Sequence, residues 1–410
     1  MKRWLGALVC FAVLLSACKG GKKEAVSDAR ATADLPPFKI SVITPLTGTD
    51  PFGAIEYKNG TEMAWEHLGG EINGRKIQVV VADGPTQDAT IAEFERLVNN
   101  GSTAFFSGYG SIADRSFAAM CDEMEVLYVS LAWDINLLQG PSDYFFPTAP
   151  RVDHYSEGLL KFAVDIGREN LGKSVRDLKV AVIGNTRVEY IVEPFMDAAK
   201  AAGVQVVLKE AYPIDSKDYV PLITKLKNTD YDILVPFQTS YDGIPFHKKM
   251  YEMGYRPNII IGAGIYYDTP VFADLGNELS DGVLTISYIT PNIKDTAAKG
   301  ITKFREDYLK RFGHLPLAHA VLAYGSVMLY NEVLKQVDPA KWEDTKLLAD
   351  TLRATELDYG ELPWYYGIKY GPDNYNTRAD RFLLNQWQGG ELRCVYPPEL
   401  ATNEGKIPWK

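Results

Sequence analysis

The sequence predicts an α/β fold of two lobes built on mostly parallel sheets, and three observations lead there. With 410 residues, the chain exceeds one ordinary domain even after its first stretch is set aside, and 46% apolar content is ample for two cores. Short β-branched or aromatic runs recur without strict apolar and polar alternation, the pattern of parallel strands covered on both faces. Helical patterns lie between these runs, and βαβα order calls for right-handed crossovers.

The elements follow in order. Lys2 and Arg3 precede an apolar run from Leu5 to Leu15, roughly eleven residues and too short for a permanent membrane helix. Leu15-Ser16-Ala17-Cys18 then resembles the lipobox of bacterial lipoproteins. That resemblance implies a signal peptide over residues 1–17, removed in the mature protein, and a lipid on the Cys18 sulfur. Residues 18–37 hold lysines, glycines, alanines and the Pro36-Pro37 pair with almost nothing to bury, and are expected to be a flexible tether.

Strands are expected at Lys39 to Ile43, Gln78 to Ala82, Thr103 to Phe106, Val126 to Ser130 and Lys179 to Ile183. Four more are expected at Val204 to Leu208, Asp232 to Val235, Asn258 to Ile261 and Val283 to Ile286. Tyr57, Gly60, Thr61, Ala64 and Leu68 share one helical face, as do Ile91, Phe94, Leu97 and Val98. The aromatic-rich end, Tyr359 to Tyr396, breaks this rhythm and reads as hairpins.

Composition excludes several function classes. Loss of residues 1–17 leaves 41 basic against 53 acidic residues, a net charge of about −12, so a nucleic-acid partner is not expected. Cys10 leaves with the signal, and Cys121 and Cys394 are expected as buried free thiols, with a disulfide between them the open alternative. Five histidines, His67, His154, His247, His314 and His319, show no metal spacing. No G-x-S-x-G elbow, P-loop or H-E-x-x-H occurs, so neither an enzyme nor a cofactor is expected.

Ile40-Ser-Val-Ile-Thr-Pro-Leu-Thr-Gly48, Phe52-Gly53, Asn59-Gly60 and Ile72-Asn-Gly-Arg-Lys-Ile-Gln78 resemble the opening of the type I periplasmic binding proteins, the leucine/isoleucine/valine-binding family of ABC transporters. Asp83-Gly84-Pro85, Phe106-Ser-Gly-Tyr-Gly-Ser111, Val129-Ser130, Phe146-Pro-Thr-Ala-Pro-Arg151, Gly282-Val283 and Ala323-Tyr324 continue in family order to about residue 400. The resemblance implies two Rossmann-like lobes joined by three hinge crossovers, near Pro150, Asp281 and Thr355. Lobe one would combine 38–150 with 281–355, and lobe two 151–280 with 356–410. It further implies a monomeric, lipid-anchored solute receptor, in the periplasm or at the cell surface, that delivers a small ligand to permease subunits. A receptor serving a sensor or chemotaxis system would use the same fold.

In such sheets, loops at the carboxyl ends of strands meet helix amino termini whose free amides attract polar ligand atoms. The Ser107-to-Ser111 loop supplies Tyr109, Gly110 and Ser111, and Ser111 with Asp114 fits a capping box that would start a helix there. By resemblance, Ser111 falls near the serine that binds a ligand carboxylate. Gly108, Gly110 and Ala113 also spell the G-x-G-x-x-A of dinucleotide enzymes, but on the third strand rather than the first. Ala132, Trp133 and Asp134 stand where relatives carry a small residue and a carboxylate-binding threonine, and an aspartate there disfavours a simple branched-chain amino acid.

The second lobe would supply Tyr190 as a stacking ring, with Gln238 and Thr239 as polar donors. Relatives pair the ligand ammonium with an acid after the strand at Asn258, and Gly262-Ala263-Gly264-Ile265-Tyr266 lacks one. Asp134 is expected to replace it from the opposite lobe. Phe52, Tyr109, Trp133, Tyr190 and Tyr266 would then cage an amine, at roughly 0.5 to 2 kcal/mol per cation–π contact, or stack on an aromatic ring.

Overall fold

In the computed structural model, the described residues are 34–408 apart from 48–50, 110–112, 136, 139, 141 and 264. The signal segment, Cys18 and most of the tether lie outside them. Strands β1 (Phe38–Thr44), β2 (Glu71–Ile72), β3 (Arg75–Asp83), β4 (Ala104–Phe106), β5 (Leu127–Ser130) and β6 (Phe145–Pro147) form the first sheet, in the order β2-β3-β1-β4-β5-β6. Every pairing except the β2 edge is parallel, with Ile40 set between Val79 and Ala104. Such strands are buried on both faces, which is why β1 reads as an apolar run.

The second sheet contains β7 (Lys179–Asn185), β8 (Gln205–Tyr212), β9 (Ile233–Phe237), β10 (Ile261–Gly262), β11 (Leu284–Ser287), β12 (Leu383–Gln388) and β13 (Glu391–Tyr396). A three-stranded part, β8-β7-β9, meets a four-stranded part, β10-β11-β12-β13, through the bridges Leu234 to Ile260 and Phe237 to Ala263. All nine expected strands are present. β6 was not expected, and the aromatic-rich end supplies the β12–β13 hairpin.

The pairings move two of the expected crossovers. β11 is hydrogen-bonded to β10 and β12, so Asp281 precedes a strand of the second sheet rather than closing it. Past Thr355 the chain stays with the first sheet. Trp364 fills the space over Gly325 and donates to the Val321 carbonyl, and Asn376 bonds Pro147 and Thr148. Tyr366 stacks on Trp364 at 5.0 Å and Tyr370 meets Phe146 of β6 edge-on at 5.0 Å, and the chain joins the second sheet only at β12.

The Pro51–His67 helix packs against the Ala318–Leu334 helix so closely that a Cβ on Gly60 would stand 2.1 Å from the Ala320 carbonyl oxygen. Both helices are therefore buried around most of their circumference, beyond the single face that periodicity marked. Arg75 is buried between Phe38 and Trp342 and donates to the Pro36 and Pro339 carbonyls and to Glu343, fixing the chain where the tether ends. Cys121 and Cys394 are free and buried, as expected. Among the described residues no helix is long and apolar enough to cross a membrane.

Candidate functional site

The strand order locates the crevice. In the first sheet β1 lies between β3 and β4, and in the second β7 lies between β8 and β9. Crossovers leave in opposite directions at such points, so the loops there part and open a hollow beyond the carboxyl ends. Thr44 and the Ser107–Tyr109 loop occupy the first of these points, and Asn185 and Gln238 the second.

Gly108 is required where it stands, because a Cβ there would lie 1.8 Å from the Ile43 carbonyl oxygen. The Tyr109 amide donates to Thr44 Oγ1 at 3.2 Å. Beneath the loop, the buried Asp114 accepts from Ser107 and Ser130 hydroxyls at 2.5 Å each and from Tyr128 at 3.0 Å. Burial pushes its carboxyl up to about 6, with the three hydroxyls opposing that rise. Asp114 thus ties the β4 and β5 loops together, and the capping box expected with Ser111 falls outside the described residues. The helix is Asp114–Met124, its N-cap Ala113 makes no side-chain cap bond, and Gly110 and Ser111 lie outside the described residues.

Aromatic groups line this edge. Phe52, 40% exposed, sits in the first turn of its helix next to Gly53, whose face is covered by the Tyr109 ring. Tyr109 meets His319 edge-on at 4.9 Å and Tyr57 at 6.4 Å. Trp133 stacks on Tyr155 at 4.9 Å, and its Nε1 donates to the Tyr288 hydroxyl at 2.8 Å. Its carbonyl accepts from the Val152 amide, at the start of the first crossover helix, while Tyr288 follows β11. Trp133 is therefore held by two of the crossover segments. Ala132, half-buried beside it, donates its amide to Ser130 Oγ at 3.3 Å.

Asp134, expected to take the ligand's cationic group, is paired with Arg115. The arginine is 70% exposed and the aspartate side chain 19%, so the pair sits at the crevice rim with its charge compensated. Tyr190 comes from the second sheet's side. Its residue surface is 57% exposed, yet enough protein surrounds the hydroxyl that desolvation, then the Asp134 charge, raises its pKa above 10.

Gln238 and Tyr266 belong to the interior, and the half-buried Thr239 is taken up by its own helix. Gln238 is buried, accepts from the Tyr267 hydroxyl at 2.5 Å and donates to the Tyr212 hydroxyl at 2.6 Å. Tyr212 donates in turn to the buried Asp242 at 2.7 Å. Thr239 caps the Ser240–Glu252 helix, with its amide and hydroxyl both bonded to Asp242 Oδ1. Tyr266 is buried over Gly243, within 5.0 Å of the Tyr267 ring and 5.2 Å of Phe272, so it is core rather than cage wall. Gly264 lies outside the described residues.

The sequence reading overlooked Asp268, two residues beyond Tyr266. Its Oδ1 is shielded from solvent and has no hydrogen-bond partner. Burial pushes the carboxyl up to about 7, partly offset by the Thr285 and Ser287 hydroxyls. It lines a cavity of about 230 Å³ between the turn after β10, the Thr290–Asn292 segment and the His314–Ala318 segment. The available signal was an acid close behind the glycine turn. A hollow of about 430 Å³ along Met196, Lys200 and Val206 opens at the amino end of β8, the wrong end of the sheet for such a crevice.

Two largely parallel sheets tied at their crossovers, each with a strand-order reversal at its carboxyl edge, define an α/β protein with its crevice at those reversals. The sequence model of the periplasmic binding protein family matches residues 37–381, and the chain belongs to that family. Leu/Ile/Val-binding protein homolog 8 of Brucella suis biovar 1 is 27% identical over 387 residues, covering 92% of this chain and 94% of the relative. The branched-chain amino acid transporter substrate-binding protein of Streptococcus pneumoniae, in complex with isoleucine, superposes with a TM-score of 0.71 at 18% identity, over 87% of this chain and 98% of that one. A solute-binding protein of an ABC transporter from Rhodopseudomonas palustris BisB5, in complex with 3,4-dihydroxybenzoic acid, gives 0.68 at 21% identity, over 87% and 95%.

Proposed function

We propose that this chain is the lipid-anchored, extracytoplasmic substrate-binding component of an ABC transporter, without catalytic activity of its own. It takes a small amino-acid-like, amine or aromatic ligand between its two sheets and presents the closed form to permease subunits. The observation that carries this reading is the crevice at the two strand-order reversals, with Phe52, Tyr109 and Trp133 on one edge and Tyr190 on the other. The sheet pairings support a first lobe of β1–β6 with the helices from 301 to 354 and the segment 357–379, and a second lobe of β7–β13.

Closure would rotate these lobes about the crossovers, where the Trp133–Tyr288 bond joins the β5 loop to the segment after β11. The names of the relatives support the transporter reading, and the isoleucine and dihydroxybenzoate complexes support a ligand bearing a carboxylate, a ring or both. Capture near a membrane by a tethered receptor raises the chance of docking to a permease beyond that of a freely diffusing one.

A thermal-shift screen of the mature protein against amino acids, amines, aromatic acids and nucleosides tests the reading. A ligand at a hundredfold excess over its Kd stabilises the folded form by about 2.7 kcal/mol. Conversion of any stabilising compound into product would overturn the receptor reading. Tight leucine binding, unaffected by Asp134→Ala, would overturn the preference for an amine or aromatic ligand.

A further inference from the structure

We infer that Trp133 is a positioning residue for the hinge: it pins the first lobe's crevice edge to the junction of all three crossovers and limits how far the lobes turn. The inference rests on the chain being a two-lobed solute receptor. By position Trp133 suits a cage wall, yet its contacts run to the chain connections. Its ring stacks on Tyr155 at 4.9 Å, with planes 29° from parallel, in the helix that follows the first crossover. Its Nε1 donates at 2.8 Å to the hydroxyl of Tyr288, directly after β11, where the second crossover begins.

The third crossover reaches the same place. Phe382, the last residue before β12, meets the Tyr155 ring edge-on at 6.0 Å, and a Cβ on Gly158 would stand 2.5 Å from the Phe382 ring. Tyr366, earlier in the same connection, lies 6.1 Å from the Tyr288 ring. One aromatic cluster therefore gathers three connections that are far apart in sequence. Tyr155, Tyr288 and Tyr366 are its buried members, and the half-buried Trp133 is the member carried by the crevice loop.

When two lobes turn about their crossovers, displacement grows with distance from the axis, so groups at the crossovers keep their neighbours while loop tips move. The Ala132–Asp134 loop is thus referenced to the hinge through Trp133. An indole N–H is a donor only, and leaving it unpaired in a buried place is costly. A rotation large enough to draw Trp133 away from Tyr288 forfeits the hydrogen bond and the stack on Tyr155 together, and this gives the hinge a stop.

The test uses the mature chain with Cys18→Ser and spin labels on Lys310→Cys and Lys227→Cys. These positions are exposed on a first-lobe and a second-lobe helix, and the native Cys121 and Cys394 are buried. Double electron–electron resonance reads the interlobe distances without ligand, and calorimetry reads affinity for isoleucine and benzoate. Trp133→Phe removes the donor and Tyr288→Phe the acceptor, each leaving a ring in place. Either is expected to broaden the ligand-free distance distribution, with the double variant no broader than the singles, because both break the same bond. Affinity for a probe that binds should fall about three- to tenfold in each single variant, the scale of one hydrogen bond, and no further in the double.

A folding defect in one single variant leaves the other to decide. Unchanged distances in a folded single variant overturn the inference, and so do effects that add in the double. A wild type that binds neither probe, with distances that respond to neither, counts against the receptor reading, while the ligand-free distances still decide the role of Trp133.

Discussion

Replacing His247 tests whether the interior of the second sheet is wired as the structure shows. His247 is buried in the Ser240–Glu252 helix with Nε2 3.0 Å from the Tyr267 hydroxyl. That hydroxyl spends its single proton on Gln238, so the imidazole must be the donor and carries its proton on Nε2. Burial, then the nearby Arg256 charge, pushes the imidazole down to about 3. In the unfolded chain the ring protonates below about 6.5. The neutral ring therefore contributes fully above that pH, and stability is lost as pH falls from 6.5 toward 3. Each unit in that window costs about 1.4 kcal/mol, or about 2 kcal/mol between pH 6.5 and 5.

Two carboxyls act with the opposite sign. Asp114, pushed up to about 6, and Asp268, pushed up to about 7, favour the fold more as pH falls through the same range. The informative quantity is hence the difference between wild type and His247→Gln, whose amide N–H can still reach Tyr267. Urea unfolding followed by far-UV circular dichroism, from pH 7.5 to 5, should show the wild type losing about 2 kcal/mol more than the variant. Parallel pH curves would refute the buried, neutral histidine.

Gln238→Leu should destabilise by about 2 kcal/mol or more, because the Tyr267 and Tyr212 hydroxyls lose their shared partner; unchanged stability with lost ligand binding would return Gln238 to the crevice. Gly108→Ala forces the β4 loop off β1 and should cost about 1–3 kcal/mol in urea unfolding, together with weaker ligand binding. A wild-type melting curve from that variant would contradict the contact with Ile43. Arg115→Ala removes an exposed partner and should shift stability by less than about 1 kcal/mol. The same variant removes the cation that pairs with Asp134, so calorimetric titration should show affinity for isoleucine or benzoate falling; equal affinity would remove the rim pair from recognition.

Much of the fold was legible because its signals are local. A parallel strand covered on both faces must be apolar throughout, so β1, β7 and β9 can be read from five to seven neighbouring residues. Three-residue β6 carries too little pattern for that, and its pairing with β5 identifies it. The lobe boundaries were less legible, since β11 looks like any short strand until β10 and β12 are seen on either side.

The candidate site divides the same way. Gly108 and the Trp133–Asp134 pair stand at strand ends, and position alone marked them. Whether a strand-end side chain faces the crevice or the interior depends on groups distant in sequence. Gln238 is turned inward by Tyr267, 29 residues away, and Trp133 is anchored by Tyr288, 155 residues away. Asp134 looked like a free acid until Arg115 was found on it, and Asp268 looked like a loop residue until a cavity closed over it. Sequence by itself determined most of the strands and their alternation with helices, because these follow from local periodicity. Tertiary structure alone decided which charges are compensated and which polar groups are buried, because desolvation and pairing depend on what the rest of the chain places around them.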